Sequence, residues 1–165
     1  MIHLDTSVLI DLFSGEKPLA PRLRELLDRG ERISLSTLVL FEWRRGPRMP
    51  EQIAAQEALF PSSEAISFGS AEALMASDVY GKIKRPRGRE IDIAIAACAI
   101  VHDAQLWTVN EADFKDIPNL GLLQFAQPLP RFSNKKGKRN QKWRDHDRPA
   151  RLRKRRPPRG NSGSH

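Results

Sequence analysis

The stretch Asp92 to Ala104 constrains the fold more than any other, because it is apolar on nearly every side before His102. A helix with no polar face must be covered on most of its surface, as happens when it packs between a sheet and other helices. Its clean apolar run, Ile93 to Val101, is far shorter than the roughly 20 residues a membrane-spanning helix needs. The segment therefore belongs at the centre of a layered core.

The rest of the chain alternates around it. Ile2 to Leu4 is a short apolar run ending in Asp5-Thr6-Ser7, and Val8, Leu9, Leu12 and Phe13 follow at helical spacing, which reads as strand, turn and helix. Pro21 suits the first turn of a second helix, with Leu19, Leu23, Leu26 and Leu27 on one face and Gly30 just past its end. A strand near Ile33 to Leu35 should precede a helix capped by Ser36 or Thr37, which carries Leu38, Phe41 and Glu42 and stops at Gly46-Pro47. Helices over 51–60 and through Ala71, Leu74, Met75, Val79 and Ile83 should flank a strand at Ala65 to Phe68. After the basic loop Lys82 to Arg89, which holds Pro86 and Gly88, and the buried helix, a strand at Leu106 to Val109, a helical turn at Asn110 to Phe114 and a last strand at Leu122 to Phe125 complete the pattern. Alternating strands and helices predict an α/β class with a parallel sheet covered on both faces.

The formal net charge of +8 is unevenly divided. Residues 1–130 hold 14 Lys and Arg against 18 Asp and Glu, net −4, whereas residues 131–165 hold 14 against 2, net +12. From Gln127 onward the apolar pattern stops, so a globular domain is expected over 1–126 and a basic, disordered tail over 127–165. The opening Met-Ile-His-Leu-Asp lacks the basic and then apolar pattern of a signal peptide, and the lone Cys98 cannot form an intramolecular disulfide. Both point to a cytoplasmic protein that does not enter a membrane.

Four carboxylates are candidates for chemistry. Asp5 directly follows the first strand, at the edge where open parallel sheets bind ligands, although a helix N-cap would use the same residue. Glu42 stands between Phe41 and Trp43 on a partly apolar helix, where an ionised group needs either a metal or a neighbouring Arg. Asp92 opens the buried helix and can cap it, and Asp113 is either a ligand at the Asp5 edge or an exposed turn acid. Carboxylates crowded together repel unless a divalent cation neutralises them, and an oxygen-only set suits Mg²⁺ or Mn²⁺. The four histidines are scattered, which argues against zinc. No phosphate-cradling glycine loop occurs, and Ser7 stands where an aspartyl-phosphate hydrolase usually needs a second acid.

Four stretches in this order resemble the PIN-domain nucleases, and within them the VapC-type toxins of bacterial toxin–antitoxin pairs: Leu4 to Asp11, Ser36 to Gly46, Arg89 to Ala99, and Thr108 to Phe114 followed by Ile117-Pro118. The resemblance covers about residues 1–125. It implies a three-layer α/β/α sandwich and endonucleolytic cleavage of RNA with Mg²⁺ or Mn²⁺ held by Asp5, Glu42, Asp92 and Asp113. Asn110 stands where some members carry an acid, and Val39 where many carry Thr. Thr6, Ser7 and Thr108 are expected as supporting hydrogen bonders, and Arg44, Arg45, Arg48, Lys82, Lys84, Arg85, Arg87 and Arg89 as cations for RNA phosphates. The resemblance also implies a cognate antitoxin and a homodimer. The competing expectation is a catalytically silent protein that binds nucleic acid or an acidic partner through its basic tail, with Trp143 interleaved.

Overall fold

A computed structural model describes residues 1–14 and 19–125. The expected tail over 127–165 lies outside the described residues. Three short strands, β1 (Ile2–Leu4), β2 (Ile33–Ser34) and β3 (Gln105–Trp107), form a parallel sheet in the order β2-β1-β3. Ile2 pairs with Ile33 on one side and Gln105 on the other, so the first strand is the centre of the sheet. Parallel neighbours need crossovers, and helices supply them: α1 (Thr6–Phe13) and α2 (Ala20–Asp28) between β1 and β2, then α3 (Thr37–Arg45), α4 (Pro50–Leu59), α5 (Ser70–Lys82) and α6 (Glu90–Val101) before β3. The result is the three-layer α/β/α arrangement.

Local signals account for most boundaries. Ser36 caps α3, its hydroxyl accepting from the Val39 amide, and Pro21 lies in the first turn of α2. Gly30 adopts φ +75°, the left-handed turn that ends α2 without a Cβ clash. The buried helix behaves as its composition requires: every residue from Ile93 to Ala99 is buried, against α5, α3 and β3. Phe13 meets Trp43 with ring centroids 5.5 Å apart, joining α1 to α3 inside the same core.

The expected strands at Ala65 to Phe68 and Leu122 to Phe125 are reduced to single parallel pairings, Ser36 with Ile66 and Leu106 with Leu122. Each segment touches the sheet edge for one residue and leaves it, so no ladder forms. Leu27 and Leu74, placed on apolar helix faces by periodicity, are exposed. Periodicity marks a face but not how far the covering layer extends. Among the described residues no helix is long and apolar enough to cross a membrane.

Candidate metal centre

The strand ends and helix starts explain why distant acids meet. Asp5 follows β1, and its amide donates to the Trp107 carbonyl at 2.9 Å, which stitches the start of α1 to the end of β3. Only Leu35 and Ser36 separate β2 from α3, which starts at the same edge and carries Glu42 on its second turn. Because α6 leads into β3 through the short turn 102–104, it runs antiparallel to that strand and brings Asp92, in its first turn, to this edge. Asp113 closes the short helical turn Glu111–Asp113 that follows β3.

The Asp92 carboxyl carries the electrostatic signature of this convergence. Its pKa is raised from 3.8 to about 6, first by burial and then by the charges of Asp5, Glu42 and Asp113, with Arg89 opposing. Four acids from separate elements thus sense one another at a single edge of the sheet.

Each of the other three is held by a local donor. The Asp5 Oδ2 accepts from the Ser7 hydroxyl at 2.5 Å and the Thr108 hydroxyl at 2.8 Å, as well as from the Ser7 amide at 3.4 Å. Asp5 therefore is the N-cap of α1 and also faces Asp92; the two sequence readings coexist. Thr6 donates to Glu42 Oε2 at 2.8 Å, while Arg45 stands 3.7 Å from Oε1. Asp113 accepts from the Asn110 side-chain amide, so Asn110 acts here as a donor to the neighbouring acid. Asp92 is not the cap of α6: the helix begins at Glu90, the cap position is Arg89, and the Asp92 carboxylate is left facing the other acids.

Among the described residues no three His, Cys, Asp or Glu side chains are grouped closely enough to cage a metal as they stand. Asp5, Glu42 and Asp113 are each drawn toward a hydroxyl or amide donor, whereas Asp92 has none among the described residues. The donor set nevertheless fits a hard divalent cation: all four groups are carboxylates, hydroxyls orient two of them, and mutual repulsion at Asp92 is what a dication relieves.

The pairing of Arg89 with Asp116 escaped the sequence reading. Arg89 was expected to meet RNA phosphates, but both its terminal nitrogens bond Asp116, at 2.9 and 2.6 Å, and one also donates to the Asp113 carbonyl. Asp116 holds the guanidinium charged, and Arg89 in turn keeps the Asp116 carboxyl below its usual range. No local pattern announces a pairing across 27 residues. Arg44 is likewise committed, to Gln56, Glu57 and Ser62, and the Arg48 guanidinium lies 4.0 Å over the Trp43 ring.

Comparison with known proteins bears on this arrangement. The profile of the PIN domain family matches residues 2–120. A ribonuclease VapC19 from Mycobacterium tuberculosis is 36% identical over 130 residues, which span 71% of this chain and 94% of that protein. Among solved structures, a toxin–antitoxin complex from Klebsiella pneumoniae aligns at 26% identity and TM-score 0.57, covering 73% of this chain and 95% of that one. VapBC2 from Rickettsia felis, bound to a DNA fragment from its promoter, aligns at 24% identity and TM-score 0.61 over 76% and 99% of the two chains.

Proposed function

Since the chain belongs to the PIN domain family, we propose that it is a divalent-metal-dependent endoribonuclease, the toxin of a toxin–antitoxin pair, acting on RNA in the cytoplasm. The observation that carries the reading is the gathering of Asp5, Glu42, Asp92 and Asp113 at one sheet edge, reported by the raised Asp92 carboxyl. Mg²⁺ or Mn²⁺ suits these oxygen donors, with Asp5, Asp92 and Asp113 as the holding set and Glu42 completing the site. Such a cation, when bound, supplies Lewis acidity toward the scissile phosphate and makes a water acidic enough to attack at neutral pH. The chain's own part is positional. Ser7 and Thr108 fix the Asp5 carboxylate, Asn110 fixes Asp113, and Thr6 holds Glu42, whose remaining lone pairs can orient a water or accept its proton.

The toxin reading brings two partners, an antitoxin that covers the acidic edge and a second copy of the chain in a homodimer. Asp5→Asn and Asp92→Asn should each abolish cleavage of a labelled single-stranded RNA in Mg²⁺ or Mn²⁺, and a chelator should silence the parent. Undiminished cleavage by either variant would remove these acids from the chemistry. Retention of RNA by the basic tail with no cleavage in any metal would favour the silent-binder alternative instead.

A further inference from the structure

A domain whose first 130 residues carry a net charge of −4 and whose active edge is built from carboxylates repels RNA, so some part of it must offset that field. The structure sorts the eight basic residues near the site by what they already hold. Arg44 is bound to Glu57, Arg45 lies near Glu42 and 5.7 Å from the Phe41 ring centroid, and Arg48 is stacked on Trp43. Lys82 pairs with Asp78 at 2.5 Å, and Arg89 is spent on Asp116. Three are left: Lys84, Arg85 and Arg87 are exposed, and their side chains make no ion pair or hydrogen bond among the described residues.

Geometry places these three beside the acids. The loop between α5 and α6 turns at Gly88, with φ +81°, and the Arg89 amide closes it on the Pro86 carbonyl at 3.1 Å. The Arg89 guanidinium then spans two segments at once: it reaches the Arg85 carbonyl at 3.5 Å, the Asp116 carboxylate, and the Asp113 carbonyl. One planar group therefore sets the backbone of Arg85 against the segment that carries Asp113, and the same loop ends in the helix that carries Asp92.

We propose that the α5–α6 loop is the RNA-backbone contact of the active edge, with Lys84, Arg85 and Arg87 as phosphate-binding cations and Arg89 as the residue that positions them. This rests on the endoribonuclease reading for its substrate. The acids act on one phosphate, and the loop holds its neighbours along the strand. Binding through phosphates alone is indifferent to base identity, so the loop contributes affinity and register rather than sequence choice.

The test compares the full-length parent with Lys84→Ala/Arg85→Ala/Arg87→Ala and with a charge control, Arg29→Ala/Arg32→Ala, whose positions precede β2 at the opposite edge. Binding to a labelled single-stranded RNA is followed in EDTA, which withholds the metal that cleavage requires, by fluorescence anisotropy from about 0.05 to 0.5 M KCl, and cleavage of the same RNA in Mg²⁺ or Mn²⁺ by initial rates. For single strands the salt slope is about 0.7 per phosphate neutralised, so the triple variant should lose about 2 units of slope. Its KM should rise by on the order of 10- to 100-fold at 0.1 M KCl, with kcat within about twofold of the parent, and the control should keep the parental slope. An unchanged slope in the triple variant, or an equal loss in the control, overturns the proposal. If the parent cleaves nothing in Mg²⁺ or Mn²⁺ while the slope difference persists in EDTA, the endoribonuclease reading fails and the loop contact stands.

Discussion

Asp92→Asn should make the folded protein more stable while it removes the activity. The Asp92 carboxyl lies partly buried among three other acids and its pKa rises from 3.8 to about 6, so in the metal-free protein its ionised form is penalised. A shift of roughly two units corresponds to about 3 kcal/mol at 1.36 kcal/mol per unit, and solvent screening of a partly exposed group lowers this to on the order of 1–2 kcal/mol. Asparagine keeps the shape and removes the charge. The sign with pH follows from linkage: above pH 6 the parent carries the full penalty, and as pH falls through 6 toward 3.8 the folded state takes up the proton and the penalty fades. At pH 8 in chelator the variant should therefore be the more stable by about 1–2 kcal/mol, or about 3–8 °C in Tm, and the gap should shrink by pH 5. Urea titration followed by tryptophan fluorescence reads this well, because Trp43 and Trp107 are both buried. Added Mg²⁺ should reverse the order, since binding stabilises only the form that can hold it. A variant no more stable than the parent at pH 8, or a gap that does not change with pH, would refute the claim that these carboxylates crowd one another.

Other perturbations have equally definite outcomes. His3 is fully buried, its Nδ1 lies 3.2 Å from the Ser34 hydroxyl, and burial lowers its pKa from 6.5 to about 4, so the parent should lose about 2 kcal/mol between pH 7 and 5 on its account. Denaturation of His3→Leu against the parent isolates this term, which is absent if the two curves shift in parallel. Thr6→Val deletes the hydroxyl that holds Glu42 and should lower kcat by about tenfold with little change in KM, by steady-state cleavage rates. Gly30→Ala, at φ +75°, should cost about 1 kcal/mol in urea without touching cleavage.

Much was legible because it is local. An apolar stretch such as Ile93 to Ala99 can only be buried, Ser36 can cap a helix through its own hydroxyl, and a strand ending in Asp5 places that acid at a ligand-binding edge whatever surrounds it. The four acids could be named from such cues and from family resemblance, but their electrical coupling could not, because it depends on four segments arriving at one edge. Only the tertiary structure decided that the Thr108 hydroxyl reaches the Asp5 carboxylate, and that Arg89 is bound to Asp116 while the side chains of Lys84, Arg85 and Arg87 make no ion pair or hydrogen bond among the described residues. Caps and apolar faces are settled within one helical turn, whereas the partner of a long cationic side chain is whichever acid the fold brings within a few ångströms. The sequence by itself determined which groups could meet at the edge; the packing of α6 against β3 decided which of them do.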